Sequence, residues 1–267
     1  MTRSTTWVKP LKTIARWLGV AAFWLLVWQL ISTIVAQELL VPAPFAVGRA
    51  LWELMGRADF WAATGLSLLR IMVGWLLGTL AGALLAVATT RFAVAQALLS
   101  PLLRIVRAAP VASFIILALV WIRTNTLPAF ISFLMVTPLV WSNVSEGIRH
   151  TDPQLLEMAR VYRWRAGKIW RHIRIPSVAP YFLASLSSGL GFAWKSGVAA
   201  EVICQPAFSI GRELYRSKLY LETPQVFAWT ITAVALSLLL EKGVLWAIGR
   251  IDRSGAAARR NKHGDRL

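Results

Sequence analysis

The chain is poor in the residue types that usually carry chemistry. A single cysteine, Cys204, excludes an intrachain disulfide framework and a thiolate zinc cluster. It reads as a small apolar filler near a helix end. Three histidines, His150, His172 and His263, are too few and too scattered for a metal-ligand set, so no metal site is expected. H-E-x-x-H, G-x-S-x-G and the G-x-x-x-x-G-K-[ST] phosphate loop are all missing, which leaves no recognisable hydrolytic centre and no ATP hydrolysis in this chain. Acidic residues are scarce as well: 12 Asp and Glu stand against 29 Lys and Arg, a net charge of +17.

Apolar residues are abundant instead. They make up 57% of the 267 residues, above the roughly 45–50% of soluble domains. Windows of about 20 apolar residues, the length needed to cross a bilayer, predict spans at 17–37, 65–90, 108–123, 127–147, 179–203 and 225–248. The runs are continuous rather than alternating, which argues against a membrane β-barrel. The first run is longer than the core of a secretory signal and no clear cleavage site follows it, so it reads as a retained helix. Pro110, Pro128 and Pro138 are expected at helix starts or kinks. The fold class expected is an all-α membrane protein of about six transmembrane helices.

The position of the basic residues tests that topology. With the N-terminus in the cytoplasm, the outer loops keep Arg49, Arg57, Arg123, Arg212, Arg216 and Lys218. Arg70 and Lys195 fall inside spans, and all the rest of the 29 lie on the cytoplasmic side. That asymmetry follows the positive-inside rule, so the charge is a topology signal and no nucleic-acid partner is expected. Both termini are placed in the cytoplasm, with a segment 1–16 before the membrane domain 17–250 and a basic tail 251–267. Trp17, Trp121, Trp141, Trp229 and Trp246 fall near span ends, as indoles do at a water–lipid boundary. Gly74, Gly78 and Gly82 form one small stripe, and Ser185, Gly189, Ala193 and Gly197 another; both read as close helix contacts.

The loop at 151–176 is the most informative stretch. Asp152 can cap a helix begun by Pro153, on which Leu155, Met158, Ala159 and Tyr162 share a face. A turn is expected near Gly167, then a second helix leading to Pro176. Taken alone, the segment is an amphipathic interfacial helix drawn to anionic membrane lipid. It also resembles the cytoplasmic coupling loop of ABC-importer permeases, whose pattern is E-A-A, a glycine four residues after the last alanine, then I-x-x-P. Glu157, Ala159, Ile173 and Pro176 match it, Met158 replaces one alanine, and Arg163 replaces the glycine, with Gly167 as a substitute turn.

Further segments resemble the nitrate/sulfonate/taurine branch of that family: Leu40 to Pro44 with Val47, Ser67 to Gly74, and Gly191 to Glu201. The resemblance spans residues 40–250. It implies a type I ABC permease fold in the bacterial plasma (inner) membrane, with no cofactor in this chain and ATP bound by a partner. The implied partners are ABC ATPase subunits, an extracytoplasmic solute-binding protein and a second permease copy. The coupling residues would be Glu157, Met158, Ala159, Tyr162, Arg163, Gly167, Ile173 and Pro176.

Ionised groups inside a span usually face a bundle interior or water. Lys195 is the foremost candidate to line an anion pathway, with Trp194 and Ser196 beside it, and structural pairing between protomers is its other, more ordinary use. Arg70 is read as close enough to a span end to snorkel, and Glu201 as pairing with a basic group or facing the outer exit. Lys195 and Glu201, six residues apart, do not share a helix face. An ATP-independent carrier or channel and a membrane scaffold remain as alternatives, although neither accounts for the segment Glu157–Pro176.

Overall fold

The computed structural model describes the backbone of residues 8–264 and the side chains of Arg16 and residues 18–250. The expected segment 1–16 and the side chains of the tail 251–267 lie largely or wholly outside the described residues, as does the Trp17 side chain. Every described regular element is helical. In chain order they are α1 Val8–Val35, α2 Pro44–Met55, α3 Ala58–Arg91, α4 Ala93–Ala108, α5 Val111–Ala118, α6 Leu127–Arg149, α7 Pro153–Val161, α8 Ala166–Ile169, a π-helical turn Trp170–Arg174, α9 Ile175–Cys204, α10 Ile210–Leu219 and α11 Thr223–Gly264.

Four helices are long and apolar enough to cross a membrane: α1 from Leu18, α3, α6, and α11 as far as Arg250. The pair α4 and α5, bent by 105°, makes a fifth if it is one broken span. α9 has 30 residues, about 45 Å at 1.5 Å per residue. Its apolarity is diluted by Ser185, Ser187, Ser188, Lys195, Ser196 and Glu201. The six expected spans fall on α1, α3, α5 with the turn after it, α6, α9 and α11, and among the described residues α9 is not one of the helices apolar enough to cross.

The third span departs from expectation. The apolar run at 108–123 is not one helix, because Ala109 is extended (φ −77°, ψ 146°). A residue before proline is pushed out of the helical region, and Pro110 has no N–H to continue the ladder. α5 ends at Ala118, and residues 119–122 are turn and bend. Pro128 begins α6 as expected, whereas Pro138 lies within it. The helices α2 and α10 were not anticipated.

The chain forms two compact units, Met1–Trp61 with Glu213–Thr232, and Ala62–Arg212 with Ala233–Leu267. In the first unit, Trp28 stacks on Phe227 at 5.8 Å and donates from Nε1 to the Pro42 carbonyl at 3.1 Å. Ser32 donates to the Val41 carbonyl, and Thr223 to that of Leu39. Trp229, expected at the lipid boundary, is buried and lies 5.0 Å from the Phe60 ring.

In the second unit, α6 packs against both small-residue stripes. A side chain at Gly78 would meet the Phe133 carbonyl at 2.8 Å, and one at Gly82 the Thr137 carbonyl at 2.6 Å. On the other side, Ser132 donates to the Ala193 carbonyl at 3.1 Å, and Gly197 lies against Ile71 and Ser132. Stripes of this kind let helix backbones approach closely where the hydrophobic effect gives no drive. Ile115 of α5 joins the same core, packed with Leu127, Ile131, Met135, Ala200 and Cys204. Trp141, also expected at the boundary, is half-buried and donates to Thr89 Oγ1 near the end of α3.

Candidate functional site

The segment 151–176 is built by local capping. Asp152 Oδ1 accepts from the Gln154 N–H at 2.8 Å and Pro153 occupies the first turn, so α7 starts where the sequence places it. It ends in a Schellman motif: the Arg163 N–H donates to the Arg160 carbonyl at 2.9 Å and the Trp164 N–H to the Ala159 carbonyl at 2.8 Å. Arg163 therefore carries the left-handed turn, with φ 49°. Gly167, the expected substitute, sits inside α8 with no atom within 4 Å of where a side chain would begin. The turn stays at the glycine position of the coupling-loop pattern that the segment resembles, although the residue there is arginine.

A left-handed conformation costs an L-residue about 1–2 kcal/mol relative to glycine. Arg163→Gly is thus expected to stabilise the α7–α8 turn and slow its amide hydrogen exchange, whereas Arg163→Val accelerates it. Exchange rates that do not distinguish the two variants would contradict the assignment.

Ala159 is fully buried, while Leu155, Met158 and Tyr162 are exposed. The expected shared face is thus an apolar strip turned outward, with Glu157 exposed beside it. Pro176 does not end the segment. The backbone runs as continuous helix from Ala166 to Cys204 and widens at Trp170–Arg174, where the Ile175 N–H reaches the Trp170 carbonyl. The widening accommodates Pro176, which cannot donate to residue 172 and whose ring would crowd that carbonyl in a regular α-turn. Ile173, one turn before the proline, is buried.

The intramembrane charges are sorted by α9. Glu201 is fully buried: Oε2 accepts from Ser67 Oγ at 2.7 Å and from the Gly211 N–H at 3.2 Å. Its Oε1 has no hydrogen-bond donor and lies 3.9 Å from Arg70 Nη1. The Arg70 guanidinium turns into the fold and donates to the carbonyls of Ala207 at 2.9 Å and Phe208 at 3.1 Å. Ser67 Oγ also accepts from the Ile210 N–H at 3.0 Å. These bonds fasten the α9–α10 connection, which turns through left-handed Gln205 and Phe208. The sequence does not signal these roles of Ser67 and Gly211, because only the three-dimensional return of the chain brings residues 67, 201 and 211 together.

Lys195 stands apart from this cluster, on the exposed face of α9 with Ser188, Phe192, Ala199 and Ile203. Its sequence neighbours point elsewhere. Trp194 is buried and donates to the Ala233 carbonyl at 3.0 Å, and Ser196 is buried against the Ala193 carbonyl. Of the three pathway candidates on this turn, only Lys195 is exposed. Among the described residues no group of His, Cys, Asp and Glu could hold a metal.

Residues 74–254 match the family model of binding-protein-dependent transport system inner membrane components. The chain is similar to the bicarbonate transport system permease protein CmpB of Synechococcus elongatus, 26% identical over 241 residues and covering 85% of each chain. It is also similar to the nitrate import permease protein NrtB of the same organism, 28% identical over 214 residues, covering 75% of this chain and 76% of that one. Among solved structures, an amino acid ABC transporter crystallised with histidines matches with a TM-score of 0.60 at 17% identity, covering 73% of this chain and 94% of the other. The methionine ABC transporter MetNI, facing inward, matches with a TM-score of 0.52 at 18% identity, over 80% and 97%.

Proposed function

Because the chain belongs to the family of binding-protein-dependent transport system inner membrane components, we propose that it is the permease subunit of an ATP-driven importer of a small anion. Two copies form the pathway, cytoplasmic ABC ATPase subunits bind and hydrolyse ATP, and a solute-binding protein delivers cargo from outside. Both termini then lie in the cytoplasm. The chain itself performs no catalysis and needs no cofactor.

The observation that carries the reading is α7. A capped helix of nine residues turns Leu155 and Met158 outward, with Tyr162 just past its end, as a helix that docks on a partner would. Helix-in-groove docking uses apolar anchors at this i, i+3, i+7 spacing. Glu157 flanks the strip, and the continuous helix from Ala166 into α9 gives a push on α7 a stiff route to the membrane. The two docked states must differ in contacts that nucleotide biases. An anionic cargo is supported by Lys195 on the open face of α9 and by the bicarbonate and nitrate named for the two relatives.

The test is to extract a tagged copy from native membranes in mild detergent and identify what copurifies by mass spectrometry. An ABC ATPase is expected with the wild type and is expected to be absent with Glu157→Lys. Lys195→Met should keep the ATPase and lose uptake of labelled nitrate or bicarbonate by at least tenfold, the loss of one charge contact of about 1.4 kcal/mol or more. Recovery of the chain alone, under conditions that keep known transporters whole, would refute the importer reading in favour of a carrier or scaffold.

A further inference from the structure

A second charged site lies at the end of α3, separate from α7 and from Lys195. A cavity of about 350 Å³ is lined by Thr90, Arg91, Ala166, Ile169, Trp170 and Arg174. Its two guanidiniums come from different elements, Arg91 from the last turn of α3 and Arg174 from the π-helical turn. No carboxylate lines the cavity, and among the described residues neither arginine is paired with an acidic side chain. Their only charge-directed contacts are with rings: Arg174 lies 4.9 Å from the Trp170 centroid and Arg91 5.7 Å from that of Phe92. Two unpaired guanidiniums converging on a partly apolar cleft suit a phosphate diester, which each fork can bind with two hydrogen bonds.

Arg91 also borders a second cavity of about 610 Å³, whose other walls are Phe92, Ala93, Val94, Ala95, Leu98 and Leu99. That lining is hydrocarbon, so the anion site and an acyl-sized groove share one residue. The place in the membrane agrees. α3 has 34 residues, about 51 Å at 1.5 Å per residue, against a hydrocarbon core of roughly 30 Å. That surplus is enough for its last turn, which carries Arg91, to reach headgroup level. A soluble phosphorylated ligand would use the first cavity and leave the second without purpose.

We propose that this pair of cavities binds one anionic phospholipid, its phosphate held by Arg91 and Arg174 and one acyl chain lying along Phe92–Leu99. The lipid then links the end of α3 to the helix that continues into α9. The site stands on α3 as a spanning helix and not on the importer reading.

The test is native mass spectrometry of the full chain in mild detergent, titrated with dioleoyl phosphatidylglycerol, dioleoyl phosphatidylcholine and inorganic phosphate. One tightly held phosphatidylglycerol per chain is expected. Arg91→Gln with Arg174→Gln should weaken it on the order of 30-fold, Arg91→Lys with Arg174→Lys should recover most of it, and millimolar phosphate should not displace it. Arg104→Gln with Arg149→Gln removes the same charge from exposed positions elsewhere and should leave the affinity unchanged. Equal retention of phosphatidylcholine, or equal loss in the Arg104/Arg149 variant, would overturn the proposal in favour of diffuse surface attraction. Displacement by phosphate would overturn it in favour of a free-ion site. Monodisperse elution of each variant separates lost binding from lost fold, and the lysine pair decides the matter should the glutamine pair not fold.

Discussion

Gly74→Ala is expected to cut recovery of folded protein sharply, although it adds one methyl group. The new Cβ would collide with the Ala129 carbonyl and stand 2.7 Å from Ser132 Cβ. A carbonyl within a helix cannot swing aside as a side-chain end can, so relief requires α6 to move away from α3. Gly78 and Gly82 face Phe133 and Thr137 in the same way on the next two turns, so the shift would open the whole seam. Overpacking a close-packed site costs about 1–3 kcal/mol when side chains absorb it, and more when backbones must part. Against a total stability of about 5–15 kcal/mol, one such change is severe and two together should leave no folded population. α6 also packs on α9, and Ser132 is itself bonded to Ala193, so loss of the seam reaches the helix that carries Lys195 and Glu201. Gly191→Ala and Gly243→Ala are the controls, since nothing lies within 4 Å of either added methyl. Size-exclusion profiles and melting curves in detergent read the outcome. A Gly74→Ala protein that elutes and melts like the controls would disprove the close seam.

The glycine and serine stripes were legible in the sequence because spacing by four is a property of the helix itself, and small residues in lipid have one main use. The cap at Asp152 and Pro153 was legible for the same reason: each interaction closes within a few residues. The turn after α7 was misjudged because glycine was taken as necessary for a left-handed residue. Two backbone hydrogen bonds and an exposed position suffice to hold Arg163 there. Span counting failed locally at 108–123, since hydropathy adds apolar residues across Ala109 and Pro110 and does not register a 105° bend. The expected span 179–203 falls within α9, whose apolarity is lowered by its serines, Lys195 and Glu201; Ser185, Ser196 and Glu201 are buried and Lys195 is exposed. Arg70 was assigned to the lipid boundary on its distance from an apolar edge. The helix starts seven residues before the predicted span, at Ala58 rather than 65, and Arg70 finds its partners in the fold: Glu201, 131 residues later, and the carbonyls of Ala207 and Phe208.

Arg70→Met is expected to be among the most destabilising polar substitutions in the chain, and Glu201→Gln to rescue it in part. Glu201 is wholly buried, Arg70 nearly so, and only 3.9 Å separates them. Breaking a buried pair by removing one partner costs about 3–5 kcal/mol, because the other charge is left without compensation. Arg70→Met adds the loss of its bonds to Ala207 and Phe208, which leaves two carbonyls of the α9–α10 connection without that donor. Glu201→Gln alone is the milder change. Its amide oxygen can take the place of Oε2 and keep Ser67 and the Gly211 N–H, so the charge toward Arg70 is lost but the acceptor is kept. In the double variant no unpaired carboxylate remains, and the melting temperature should lie above that of Arg70→Met. Contacting residues couple in such cycles by about 0.5–3 kcal/mol, enough to resolve in a thermal melt. Strict additivity would mean that Arg70 acts only through the two carbonyls and that its proximity to Glu201 carries no energy. Glu201→Ala separates the remaining terms: it leaves Ser67 and the Gly211 N–H without their acceptor and opens a cavity. It should therefore be worse than Glu201→Gln, and loosen the connection from 205 to 212 first, as faster amide exchange there before any change in α3 or α6.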